Sequence, residues 1–182
     1  MKTKKIKGLL LGLALFVLIA LVVAFTPPGM ESHSDERIIR APKEIVWAVI
    51  ADVGNYHQYA TGLTGVRIIS GEGVGMVRSC SSEEGTWTET CTAWDEGSMY
   101  AFDVNTEAGF PFPFKVFNGK WSLEEYGHGA TRLRVGFEYQ FPQRWMHWIF
   151  SEATHTAIRE GNQNLMDHWE DKVIADFQAA HR

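Results

Sequence analysis

The sequence predicts an α+β fold in which a curved antiparallel sheet grips one long C-terminal helix and leaves a space beneath it. Three observations lead there. From Gln143 to Arg182 the residues Trp145, Ile149, Ala153, Ala157, Ile158, Gly161, Leu165, Trp169, Val173 and Phe177 recur at steps of three and four, the stripe of a helix. From Leu63 to Phe141 the chain reads as strands separated by turn signals. A single helix cannot bury so wide a stripe on itself, so the sheet must cover it. Residue size also changes along the stripe. Aromatic residues stand at its ends, whereas Ala153, Ala157 and Gly161 fill its middle and leave room there. Arg159, Glu160, Asp167, Glu170, Asp171 and Lys172 supply the solvated side.

The chain opens with Lys2, Lys4, Lys5 and Lys7, followed by an uncharged run from Gly8 to Phe25. As a helix this run would span about 27 Å, close to the thickness of a bilayer core. Lysines before it and none just after it predict a single-pass membrane anchor with a cytoplasmic N-terminus and an exported domain. A cleaved signal peptide, with Val22 and Ala24 at the cleavage site and a secreted product, is the competing reading. The run is longer than an ordinary signal core, which favours the anchor. No Cys follows it, which argues against a lipoprotein. The chain thus divides into an anchor or signal over 1–25, a linker over 26–34 carrying Pro27, Pro28 and Gly29, and one domain over 35–182.

Within the domain, Asp35 to Arg40 predicts a short strand. Pro42 suits the first turn of a helix that continues over Lys43 to Asp52, with Ile45, Val46, Val49 and Ile50 on one side. Asn55 to Tyr59 forms a second short helix or turn. Six strands follow: Val66–Ser70, Val74–Ser82, Trp87–Trp94, Ser98–Asn105, Phe114–Glu125 and Ala130–Phe141. Gly-rich and acidic turns separate them, apart from the Phe- and Pro-rich loop of Gly109 to Pro113. The last strand alternates cleanly, with Leu133, Val135, Phe137, Tyr139 and Phe141 facing one way. No internal repeat or low-complexity segment is present.

Charge restricts the function. The whole chain carries a formal −5, but all four cations of the first 25 residues precede the domain, leaving 13 basic against 22 acidic residues, or −9. That balance disfavours nucleic acid, which needs a basic face. The histidines (His33, His57, His128, His147, His155, His168 and His181) show no metal-ligand spacing and read as surface residues. Gly71, Gly73 and Gly75 run into a strand rather than a helix and read as a turn, not a phosphate loop. No nucleophile elbow or local catalytic triad appears, and nothing calls for a cofactor or metal.

The order strand, two helices, six antiparallel strands, long helix resembles the START-like, helix-grip (SRPBCC) superfamily, and most of all its polyketide cyclase/dehydrase branch. The residues carrying the resemblance are IIRAPKEIVWAVIADVGNYHQY (38–59), GVGMVRSC (73–80), TWTETCTAWDEG (86–97) and LMDHWEDKV near the end. It covers essentially everything after Ser32. It implies a ligand cavity between the concave sheet face and the last helix. Strand parity groups Met76, Arg78, Cys80 and Ser82 on one face, and Trp87, Glu89, Cys91 and Ala93 on another; by similarity both face inward. The resemblance therefore nominates Tyr59, Arg78, Glu89, Phe102, Phe117, Trp121, Phe137 and Tyr139 as ligand-binding residues. Arg78 and Glu89 either orient a ligand or sit near the mouth as a solvated or structural pair. The aromatics either line the cavity or are plain core.

Cys80 and Cys91 are the only cysteines. A hairpin turning on Gly85 and Thr86 would set them opposite each other, within reach of a disulfide that export would favour. Two functions stay open. One is a membrane-tethered module whose partner is a lipid or other hydrophobic small molecule. The other is a cyclase- or dehydratase-like enzyme acting on a bound carbonyl compound, with Glu89, Arg78 and Tyr139 as acid–base candidates. A cavity filled by the protein's own aromatics would favour an interaction domain instead.

Overall fold

The computed structural model describes the backbone of residues 2–179 and the side chains of residues 10–179. Helix α1 (Lys2–Ala24) precedes strand β1 (Glu31–Ile39) and helix α2 (Lys43–Ile50). A 3-10 turn (Tyr56–Gln58) leads into β2 (Gly65–Ser70), β3 (Val77–Ser81), β4 (Thr86–Asp95), β5 (Met99–Val104), β6 (Val116–Glu125) and β7 (Thr131–Gln140). Helix α3 (Arg144–Ala179) closes the chain. The predicted last helix runs on to Arg182, and residues 180–182, His181 among them, lie outside the described ones. All seven strands form one antiparallel sheet in the order β1-β7-β6-β5-β4-β3-β2. The first strand of the domain thus closes the sheet beside the last, and α2 and α3 pack on its concave face.

The core sits under the C-terminal half of α3. Leu165, Met166, Trp169 and Val173 descend from the helix onto Trp121, Leu133 and Val135 of the sheet and Val46 and Ile50 of α2. Trp121 and Trp169 meet edge to face at 5.0 Å. Burying an indole of this size contributes about 4–6 kcal/mol of transfer free energy. Trp47 of α2 and Trp94 of β4 both donate to the Glu96 carboxylate, at 2.8 Å each, which ties α2 to the β4–β5 turn. A bulge between Cys91 and Ala93 alters the predicted parity of β4. Trp94, not Ala93, then meets the Tyr100 and Trp47 rings, at 5.6 and 5.4 Å.

The N-terminal half of α3 departs from its predicted stripe. Ile149 is 64% exposed and Ala153 is also at the surface. The side turned to the sheet there carries His147, Ser151, His155 and Asn162, because the strand it covers is polar. That strand is β1, which starts four residues earlier than predicted, inside the expected linker. Its partly buried residues, Glu31, His33, Asp35 and Arg37, alternate with exposed ones and supply partners to α3. Arg37 pairs with Asp167 and, at 3.3 Å, with Glu170.

Helix α1 stands apart from this body, with Leu10 to Val23 all exposed. Among the described residues no helix is long and apolar enough to cross a membrane. The predicted span begins at Gly8, and the side chains of Gly8, Leu9 and the preceding lysines lie outside the described ones. The end of α1 is tied to the start of α3: the Arg144 amide donates to the Thr26 carbonyl at 2.8 Å, and Nη2 donates to the Pro27 carbonyl at 3.4 Å.

Candidate ligand cavity

Between the concave face and the middle of α3 lies an open cavity of about 460 Å³, within the range of small-molecule sites. Its helix wall is Thr154, Ala157, Ile158, Gly161, Asn162 and Leu165. The sheet wall is Trp87, Glu89, Phe102, Val104, Phe117 and Phe137. Tyr56 and the segment Ala60 to Leu63 close one end, and Phe110, Phe112 and Phe114 of the β5–β6 loop close the other. The interior is not filled by its own aromatics. A second recess of similar volume, on the sheet's other face, is lined by polar residues such as Ser34, Asn118, Lys120 and Arg134.

Small residues keep the cavity open. A Cβ on Gly161 would meet nothing within 4 Å, so the helix faces empty space there. On β6, Gly119 lies opposite Phe102 of β5, and a Cβ on it would overlap the Phe102 ring. The absence of a side chain at Gly119 lets that ring lie across the sheet. The aromatic loop is held by a backbone contact. Gly109, at φ +76°, and Gly85 of the β3–β4 turn come so close that a Cβ on either would collide with the other segment. Phe110 then packs on Trp87 at 5.2 Å and on Phe117 at 5.4 Å.

One polar pair underlies the apolar wall. Arg78 is fully buried, and its Nε donates to Glu89 Oε2 at 2.8 Å while Nη2 lies 2.6 Å from the same oxygen. Its Nη1 donates to the Val53 carbonyl at 3.1 Å. The Tyr56, Tyr100, Phe102 and Trp121 rings surround the guanidinium at 4.9–5.7 Å. Burial opposes the charge, and the Glu89 carboxylate is the strongest of the influences that together hold Arg78 above its ordinary pKa. Trp87 Nε1 donates to the other carboxylate oxygen at 3.0 Å. Glu89 is 5% exposed and borders the cavity, whereas Arg78 lies behind it. Of the expected alternatives, the solvated pair is excluded, and Arg78 with Glu89 forms a buried structural pair of which only Glu89 borders the cavity. Burial pushes the hydroxyls of Tyr56 and Tyr100 and the Cys80 thiol well above their ordinary pKa, so all three stay protonated.

A second polar cluster lies between β1 and α3. Glu31 accepts from Tyr139 Oη at 3.2 Å, Ser151 Oγ at 2.8 Å and His155 Nε2 at 3.1 Å, and it also pairs with His147. Burial opposes its charge, and the Ser151 and His147 contacts prevail, holding the carboxyl below its ordinary pKa. His33 bonds Asp35 at 2.9 Å, and Asn162 Nδ2 donates to the same Asp35 oxygen at 2.8 Å. His147 and His155 are thus half-buried partners of Glu31 and not the free surface residues predicted. Among the described residues no group of His, Cys, Asp and Glu is arranged to hold a metal ion.

Of the eight nominated residues, Glu89, Phe102, Phe117 and Phe137 border the cavity. Trp121 and Tyr59 belong to the core around Trp169, and Tyr139 turns to Glu31. Sequence reasoning missed Tyr56, Asn162 and the three loop phenylalanines. The alternation of Phe and Pro over 110–114 was the available signal for the last. The disulfide is corrected. The β3–β4 register sets Cys80 opposite Trp87, the Cys91 amide bonds to Met76, and both cysteines are free and buried. The turn spans Ser82 to Gly85 instead of pivoting on Gly85 and Thr86, which slips the register by four residues.

Residues 30–170 match the family described as polyketide cyclase / dehydrase and lipid transport. No curated protein sequence matches the chain. Among solved structures, TTHA0849 from Thermus thermophilus is similar at TM-score 0.66 and 19% identity, over 80% of this chain and 99% of that one. Ara h 8.0201 is similar at TM-score 0.63 and 16% identity, over 81% and 99%. The Zhui aromatase/cyclase from Streptomyces sp. R1128 is similar at TM-score 0.59 and 16% identity, over 85% and 97%. Identities this low speak for the fold alone.

Proposed function

The chain belongs to the polyketide cyclase / dehydrase and lipid transport family, within the START-like helix-grip superfamily, and from that premise we propose that it binds a lipid or other hydrophobic small molecule under α3. One observation carries this reading: an open space of about 460 Å³ walled mainly by apolar and aromatic side chains, Phe above all. An unfilled apolar cavity forgoes dispersion contacts and exposes apolar surface to water, and a greasy guest removes both costs. The test is a plug. Gly161→Leu would send a side chain into the open space and improve helix propensity. It is expected to abolish Nile red uptake while leaving thermal stability equal or higher. A plugged chain that binds the dye as well as the wild type would place the guest elsewhere.

The same reading keeps the protein at a membrane, single-pass, with the domain exported. The uncharged run after the N-terminal lysines supports it, as does the exposed apolar surface from Leu10 to Val23. The bonds from Arg144 to Thr26 and Pro27 would hold α3's first turns, with exposed Trp148, Ile149 and Phe150, close to the bilayer surface. Ligands that partition into lipid would then meet the cavity at short range. Protease added to intact cells expressing the full chain should degrade the domain, and protection from it would count against export. Release of a soluble, shortened domain would favour the cleaved signal.

A second reading, a cyclase- or dehydratase-like enzyme, is favoured by Glu89, a buried carboxylate on the cavity wall beside Tyr56. Its lone pairs are largely committed to Arg78 and Trp87, so it would act as a base only by giving up one of these donors. Glu89→Gln separates the readings: a binder keeps its guest, whereas an enzyme loses about 10²–10⁴-fold in rate.

A further inference from the structure

We propose that the guest is uncharged and carries a hydrogen-bond donor, a hydroxyl above all, which it gives to Asn162 Oδ1. The proposal rests on the ligand-binding reading and names its ligand class. Asn162 is 1% exposed and forms part of the cavity wall. Its Nδ2 is committed to Asp35 at 2.8 Å, with the Val135 carbonyl at 3.5 Å, and this fixes which end of the amide is the oxygen. Asp35 is itself held by His33, so the amide cannot turn without breaking a chain of bonds that reaches into β1. Oδ1 is left buried with no partner. A buried acceptor without a donor is unusual and unfavourable, and a donor from the cavity that reaches Oδ1 through a small shift of the neighbouring wall side chains removes the penalty.

The charges of the cavity restrict the guest independently. Its ionisable wall residues are Glu84, Glu89 and Tyr56, and among the described residues no Lys, Arg or His lines it. The nearest cation, Arg78, lies behind Glu89 with its charge answered there. A fatty-acid carboxylate entering this space would meet two carboxylates and an amide oxygen, with no cation on the wall to receive it. A neutral donor meets acceptors at Asn162, Glu84 and Glu89 and hydroxyls at Tyr56, Thr61, Ser82 and Thr154, and, among the described residues, no positive charge. Glu89 competes poorly for that donor, because Arg78 and Trp87 already occupy it.

Displacement of Nile red from the full-length protein tests this with decanol, decyl methyl ether and decanoate, which share a chain and differ in the head. Decanol is expected to displace the dye at about tenfold lower concentration than its methyl ether, one hydrogen bond's worth of discrimination. Decanoate is expected to be weakest, and weaker still as pH rises through its ionisation. In Asn162→Leu the gap between alcohol and ether should close to about twofold, whatever the variant's own affinity for the dye. Equal displacement by alcohol and ether in the wild type, or strongest displacement by decanoate, would overturn the proposal. So would a gap that survives in Asn162→Leu, since the donor would then go elsewhere. If that variant fails to fold, the wild-type comparison alone decides. A wild-type protein that takes up neither the dye nor any of the three compounds refutes the ligand-binding reading itself, and the proposal falls with it.

Discussion

Removing one member of the Arg78–Glu89 pair is expected to cost far more than removing both. In Arg78→Met a side chain of similar length fills the space among the Tyr56, Tyr100, Phe102 and Trp121 rings, but Glu89 keeps only neutral donors, Trp87 and the Cys80 thiol, and no cation. An uncompensated carboxylate at 5% exposure should destabilise the fold by about 3–5 kcal/mol. In a domain of this size that lowers the melting temperature by roughly 6–20 °C. Glu89→Leu strands the buried guanidinium and should cost a similar amount. The double variant leaves neither charge behind, and replacing a buried pair by apolar side chains is often close to neutral. The two single losses should therefore exceed the double loss by at least about 2 kcal/mol. Urea titration of the full chain, followed by tryptophan fluorescence, measures all four corners of the cycle. Additive losses, or an Arg78→Met cost below about 1 kcal/mol, would mean that the pair is solvated and that the buried geometry is wrong.

Other expectations follow from single contacts. Gly119→Ala should push the Phe102 ring into the cavity, costing about 1–3 kcal/mol and reducing dye capacity together, as unfolding curves and Nile red titrations would show. Gly109→Ala should detach the Phe110–Phe114 loop from the β3–β4 turn, seen as faster proteolytic nicking within 105–115 in an otherwise folded chain. Both cysteines should resist alkylation in the native protein and react fully in denaturant without reductant; a native cystine in the mass spectrum would contradict the register. Glu31 has its carboxyl held below the ordinary value of 4.5, so its stabilising contribution is present above that pH and is lost as pH falls through the folded value. Glu31→Gln should accordingly be less stable than the wild type near neutrality, and the gap should narrow in acid.

How much of this was legible in the sequence depends on whether the signal was local. Strand parity grouped the residues by face and the family resemblance said which face is concave, and Glu89, Phe102, Phe117 and Phe137 do border the cavity, because side chains alternate strictly where no bulge intervenes. The same rule failed at Ala93, where one extra residue reverses the faces. The cysteine pair failed on register and not on parity: both cysteines face inward as grouped, but the turn length sets which residues oppose them, and the acidic turn gave no firm choice. Beginning β1 at Asp35 was an error of a different kind. ESHSDE carries no apolar alternation, since its inward face meets the polar turns of α3, so neither segment announces itself without the other. Parity alone also cannot separate core from lining. Trp121, Phe117 and Phe137 all point inward, and only the position of Trp169 decides that the first is sealed while the others border open space.

That division has one cause, the change of residue type along α3. Beyond Leu165 the helix sends Met166, Trp169 and Val173 into the sheet, and the two layers close completely. Before Asn162 it presents Thr154, Ala157 and Gly161, which are too short to reach the sheet. The helix nevertheless stays seated, because Glu31 and Asp35 of β1 bond to Ser151, His155 and Asn162 along that stretch. Polar bonds on one side of the helix thus hold it over a space that apolar packing would otherwise collapse. If so, weakening those bonds should change the cavity as well as the stability. Asp35→Ala, which removes the acceptor of Asn162, should loosen the middle of α3, and amide exchange there should quicken while the turns around Trp169 stay protected. Uniform protection along α3 in that variant would show that apolar contacts alone hold the helix, and that the polar β1 face is not what keeps the cavity open.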